Sequence, residues 1–110
     1  MTCLLYLKFN KLNKYNKMKD MLVVAKLNEG KFETFMKFMQ SDEGIAERKK
    51  VADLSKTLGT VSPDKGSVMF KISVHDENAL RSFLDGSNPV SSPIWDNVLE
   101  SYEIFEITKV

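Results

Sequence analysis

Hydrophobic and polar positions alternate between two periods along this chain, and the switches mark its elements. Met21-Leu22-Val23-Val24-Ala25-Lys26-Leu27 is a nearly unbroken apolar run, as expected of a strand buried on both faces. Asn28-Glu29-Gly30 ends it. From Lys31 to Gln40 the period becomes helical, with Phe32, Phe35, Met36 and Met39 forming one stripe and Phe38 widening it. Ser41 and Asp42 then open a short turn or second helical piece running through Gly44 to Lys50.

A second strand is expected within residues 52–62, polar and bent at Gly59. Pro63-Asp64-Lys65-Gly66 is the clearest turn, with Pro63 presetting φ and Gly66 expected to take φ above zero. Ser67 to His75 alternates cleanly: Val68, Phe70, Ile72 and Val74 share one face, Met69, Lys71, Ser73 and His75 the other. The two strands read as a hairpin. Asp76 is placed to cap a short amphipathic helix carrying Ala79, Leu80, Phe83 and Leu84 and ending at Asp85-Gly86. Residues 87–97 read as a loop around Pro89 and Pro93 with one turn near Ile94-Trp95. Residues 101–110 read as a last strand, with Tyr102 and Ile104 on one face and Phe105 and Ile107 on the other.

Charge divides the chain in two. Residues 1–20 hold five lysines against Asp20, a net of +4, whereas residues 21–110 carry eleven basic and fourteen acidic side chains. The total of +1 therefore conceals a basic extension (1–20) on a mildly acidic domain (21–110). Within the extension Asn-Lys recurs every three residues, and Cys3-Leu4-Leu5-Tyr6-Leu7 has the character of a short strand. Its apolar stretch precedes its lysines, the reverse of a secretory signal. Five lysines without arginine are a thin basis for nucleic-acid binding, and the apolar face is too sparse for a membrane-surface helix. The extension is read as a segment packed on the domain or a partner subunit, or as a stretch upstream of a start at Met18 or Met21. One Cys and one His exclude a disulfide framework and a Cys-based metal cluster. No apolar stretch is long enough to span a bilayer. These absences, with the lone thiol, lead to an expected cytoplasmic location.

Strand, helix, strand, strand, helix, strand within about ninety residues is the split β-α-β-β-α-β arrangement. On that element order, the helix Phe32–Met39, and the run Ile72-Ser73-Val74-His75-Asp76 leading into Ala79-Leu80-Arg81-Ser82-Phe83-Leu84, residues 21–110 resemble the dimeric α+β barrel superfamily. That is a ferredoxin-like branch that includes small antibiotic-biosynthesis-monooxygenase-like proteins. The resemblance implies an α+β fold with an antiparallel sheet, helices on one face, and pairing of the other faces of two subunits. Hydrophobicity points the same way. Two short helices cover one face of a four-stranded sheet, yet the first strand is apolar on both, and Met69, Tyr102 and Ile104 are expected to extend the second apolar face. A two-fold homodimer is the simplest cover for it.

His75 is the only imidazole, so a histidine-based acid–base step has to use it, and it is the candidate catalytic residue. The competing reading is a strand-end residue bonded to a nearby carbonyl. Lys26 and Lys71 interrupt otherwise apolar strands. They are candidates to attract a carboxylate or phosphate at a cavity mouth, or else to reach the sheet edge or pair with Glu103 or Glu106 across a dimer. Phe35, Met39, Met69, Ser73, Trp95 and Tyr102 are candidate ligand-binding positions; the first two suit an adaptable apolar lining. No dinucleotide fingerprint, phosphate loop, nucleophile elbow or paired-His metal motif is present, so no cofactor or metal is called for.

The leading expectation is a homodimeric binding module with an apolar cavity between sheet and helices, mouthed by Lys71 and His75 and suited to a fatty or amphipathic carboxylate. A second is a cofactor-free monooxygenase- or isomerase-like enzyme, as the resemblance allows. The Asn-Trp-His combination of the monooxygenase branch has no matching positions here, because the only His and Trp lie in the second half. A third is a structural dimerisation module. Neither nucleic acid nor membrane is expected as a partner.

Overall fold

A computed structural model describes residues 18–110. Residues 1–17 of the basic extension, with the short strand expected at Cys3–Leu7, lie outside the described residues. The elements run β1 (Lys19–Leu27), α1 (Phe32–Met39), α2 (Asp42–Val51), a 3-10 turn (Leu54–Lys56), β2 (Leu58–Val61), β3 (Ser67–Val74), α3 (Glu77–Asp85), α4 (Ser92–Val98) and β4 (Leu99–Glu106). The sheet order is β2-β3-β1-β4 and every neighbouring pair is antiparallel. This is the ferredoxin-like α+β sheet with helices packed on one face.

Side-chain alternation on β1 places Met21, Val23, Ala25 and Leu27 in the core and Asp20, Leu22, Val24 and Lys26 on the opposite face. β3 continues the inner face with Val68, Phe70, Ile72 and Val74. Pairing with β1 decides the orientation of β4. Tyr102 lies opposite Ala25 and Ile104 opposite Val23, so both join the helix-covered face, and Phe105, opposite Leu22, faces outward. The expectation that Tyr102 and Ile104 extend the open face is thereby corrected. Each alternating set of β4 mixes apolar and acidic residues, so only the ladder selects one.

The helices close over the inner face. Gly30, at φ +75°, turns the chain from β1 toward α1, whose Phe35 and Phe38 are buried. Ser41 caps α2 by accepting the Gly44 N–H at 3.0 Å. A Cβ at Gly44 would stand 1.9 Å from the Phe38 carbonyl oxygen, so only glycine allows this approach of α2 to the end of α1. Asp76 caps α3 through the Ala79 N–H, and Gly86 ends that helix at φ +93°.

The segment predicted as a loop contains α4. Pro93 starts it rather than breaking it, because a proline in the first turn gives up a donor that has no helical partner anyway. In the β2–β3 turn the residue at positive φ is Lys65 (φ 61°), not Gly66. Asp64 Oδ1 accepts from the Ser62 hydroxyl and the Gly66 N–H at 2.7 and 2.8 Å. A Cβ at Gly66 would lie 3.2 Å from the same oxygen, a tight contact that the Asp64 side chain would have to ease.

Candidate functional site

Between the sheet and the helices lies a cavity of about 70 Å³, walled almost wholly by apolar side chains. The sheet supplies Val23, Ala25, Val68, Phe70 and Ile72. Phe35 and Met39 come from α1, and Leu80, Phe83 and Leu84 from α3. Arg48, Leu54 and Thr57 complete the wall nearest the 3-10 turn.

Trp95 lines this cavity and is buried among hydrogen-bonding and aromatic partners. Its indole N–H donates to the Phe83 carbonyl oxygen at 2.7 Å, and the Ser91 hydroxyl donates to the same oxygen at 2.7 Å. That carbonyl belongs to the last turn of α3, where helical carbonyls lack intrahelical partners, so α4 satisfies α3 across a buried contact. The indole ring lies 5.6 Å from Phe35, 5.2 Å from Phe38 and 5.6 Å from Phe83, the latter two edge-on. These are favoured aromatic geometries.

The predicted site residues divide between the two sides of the sheet. Phe35, Met39 and Trp95 line the cavity. Tyr102 is half-buried on the same side against the core, but outside the cavity wall. Lys26, Met69, Lys71 and Ser73 belong to the alternation set that faces away from the helices. The Lys26 ammonium stands 3.6 Å from Glu100, and the exposed ring of His75 points its Nε2 at the Lys49 carbonyl oxygen, 2.9 Å away. A carbonyl can only accept, so Nε2 carries the proton in this contact. Lys49 is in the last turn of α2, and His75 therefore caps that helix. Neither Lys71 nor His75 stands at the cavity.

The cation at the cavity is Arg48, which the sequence reading passed over. It lies four residues after Gly44 and three before Val51, the buried positions of α2, and that spacing puts it on the inward face. The surrounding charges of α2, Glu47, Lys49 and Lys50, obscure the signal.

The outer face of the sheet is a separate surface. Across β4, β1, β3 and β2 one row reads Phe105, Leu22, Lys71, Leu58, and the next reads Glu103, Val24, Met69, Thr60. Leu58, Met69 and Phe105 are 62%, 44% and 45% exposed, so an apolar band crosses the sheet with Lys71 within it and Glu103 at its β4 edge.

No protein-family model matches the chain, and no curated protein is similar to it in sequence. Solved structures do match. An uncharacterised NIPSNAP domain protein from Burkholderia xenovorans aligns with a TM-score of 0.58 at 21% identity, over 84% of this chain and 95% of that one. A provisionally assigned antibiotic biosynthesis monooxygenase from Bacteriodes thetaiotaomicron aligns at 0.58 and 12% identity, over 86% and 90%. The shared fold is the ferredoxin-like α+β fold. PA3566 from Pseudomonas aeruginosa has it too, with a TM-score of 0.57 at 10% identity over 86% of this chain and 95% of that one. At such identities the likeness is one of fold, and one fold serves many chemistries.

Among the described residues no helix is long and apolar enough to cross a membrane, and no cluster of three His, Cys, Asp or Glu side chains is placed to hold a metal ion.

Proposed function

We propose that the protein is a homodimeric small-molecule-binding module that takes the apolar end of an amphipathic ligand into the cavity between sheet and helices. The observation that carries this reading is the cavity wall itself: a semi-enclosed apolar space with one charged side chain in its lining. Ligand sites have this composition, apolar walls with a few placed polar groups. The volume of about 70 Å³ lies well below the roughly 300–1,000 Å³ of ordinary ligand pockets. A compact apolar group is therefore the natural occupant, and a longer one has to displace Met39, Leu54 or Leu84, of which methionine yields most readily.

The dimer part of the reading is supported by the outer sheet face. Leu22, Val24, Leu58, Met69 and Phe105 form a band that a second copy covers by a two-fold face-to-face contact. Lys71 lies within that band and Glu103 at its β4 edge, and a two-fold contact lets one copy's lysine meet the other's glutamate.

Binding is favoured over turnover because the wall residues are Val, Ala, Phe, Met, Leu, Ile, Trp, Thr and Arg. None of these exchanges a proton near neutral pH. The enzyme reading built on His75 draws no support from a ring bonded to Lys49 away from the cavity. The small cavity volume favours one alternative, a structural dimerisation module with a packed interior.

Hexanol, a neutral probe, separates the two. In a nitrogen-edited NMR titration it should perturb the Trp95 indole N–H and the amides of Met39 and Leu84, with saturation. If neither hexanol nor hexanoate moves these signals, the binding reading is wrong and the structural module stands.

A further inference from the structure

Arg48 has a partner for only a fraction of its donors. One Nη1 hydrogen goes to the Met39 carbonyl oxygen at 2.8 Å, at the last residue of α1. A guanidinium has five N–H donors in a planar fork, and no acidic group pairs with this one among the described residues. Its neighbour Glu47 turns the other way, accepting from Asn88 Nδ2 and from Lys50 Nζ, each at 2.9 Å. A half-buried cation thus stands in an apolar wall with its charge uncompensated.

Resting on the cavity reading above, we infer that Arg48 selects a carboxylate head group, holding it with the free donors of its guanidinium while the ligand's apolar end enters the cavity between sheet and helices. The planar fork matches a carboxylate in bidentate fashion, which an ammonium does not do. The contact to Met39 fixes the fork in place before any ligand arrives, so little side-chain freedom is lost on binding. Burial pulls the guanidinium below its ordinary pKa, because water has been removed without a counter-ion to replace it. A bound carboxylate restores that counter-ion. Capping α1 explains the Met39 contact but leaves the other donors and the position in the cavity wall unexplained.

The test pairs hexanoate with hexanol, which share an apolar body and differ in head group. Both are titrated by NMR against the full-length protein, Arg48→Met and Arg48→Lys. Hexanoate should bind the wild type tighter than hexanol by about tenfold or more, the range of a charge-assisted hydrogen-bonded pair. Arg48→Met should abolish that advantage, so that hexanoate binds it no tighter than hexanol does. Equal binding of acid and alcohol to the wild type overturns the role of Arg48 and leaves the cavity reading intact; binding of neither overturns both. Should Arg48→Met fail to fold for want of its contact to Met39, Arg48→Lys carries the test. It keeps the charge and loses the fork, so the ratio of hexanoate to hexanol affinity should fall severalfold, and an unchanged ratio overturns the assignment.

Discussion

Replacing Phe105 by lysine tests the dimer directly, because this side chain faces away from the helices and touches none of the inner core. Full burial of a phenylalanine is worth about 1.5–3 kcal/mol relative to exposure. With 45% of Phe105 still exposed in the single chain, covering the remainder yields somewhat under half of that, about 0.7–1.4 kcal/mol per copy. A two-fold contact counts every residue twice, so the dimer loses about 1.5–3 kcal/mol, which is ten- to a hundredfold in the dissociation constant. Placing an ammonium there adds a desolvation cost, which makes this a lower bound. Sedimentation velocity over a hundredfold range of concentration should show the wild type as a dimer and Phe105→Lys shifted toward monomer. The monomer should keep its far-ultraviolet circular dichroism, since the covered part of Phe105 is worth about 1–2 kcal/mol, less than the stability of an ordinary domain. Lys37→Ala, on the exposed side of α1, should leave the association unchanged. A wild type that sediments as a monomer throughout, or a variant that associates as tightly as the wild type, refutes the reasoning.

Three further outcomes follow from the packing. Trp95→Ala should cost about 3–5 kcal/mol in urea denaturation. Trp95→Phe should cost less, because Ser91 still satisfies the Phe83 carbonyl; equal losses would show that the carbonyl depends on the indole alone. Gly44→Ala should destabilise by about 1–3 kcal/mol through its collision with the Phe38 carbonyl, although alanine is the better helix former, and a stabilised variant would contradict the close helix approach. The Glu47 carboxyl, its side chain 12% exposed, is held below the ordinary glutamate range first by the Asn88 amide and then by Lys50. Its folded pKa is depressed, so its contribution is complete above about pH 4.3 and fades as pH falls through the lower folded value. Glu47→Gln should flatten that acid limb in pH-dependent thermal denaturation, and an unchanged slope would place the ionisable contribution elsewhere.

Most of the architecture was legible because it rests on local patterns. The apolar run of β1, the alternation of β3, the stripe of α1 and the Asp76 cap each depend on residues close together in sequence. The misses have equally specific causes. Helix α4 was hidden by Pro89 and Pro93, which read as loop markers, although Pro93 stands at a helix start. Its stability comes from Trp95 and Ser91 bonding a carbonyl on α3, a contact between elements rather than a propensity. At the β2–β3 turn, the glycine drew attention as the flexible residue, whereas the Asp64 hydrogen bonds put Lys65 at positive φ.

The site was harder to read than the fold. Lys71 and His75 stand out as polar interruptions in an apolar strand, yet alternation sends Lys71 to the face opposite the helices, and His75, just past the end of β3, bonds the Lys49 carbonyl of α2 away from the cavity. Arg48 sits in a run of charged residues, and only its spacing from Gly44 and Val51 marks it as inward-facing.

The sequence by itself determined the element order and the surplus of apolar surface on the central strand, since periodicity and burial are properties of neighbouring residues. Tertiary structure alone decided which face of β4 turns inward, which cation borders the cavity, and how little room that cavity holds. Those outcomes depend on strand register and on the approach of helices distant along the chain, and no local pattern encodes either.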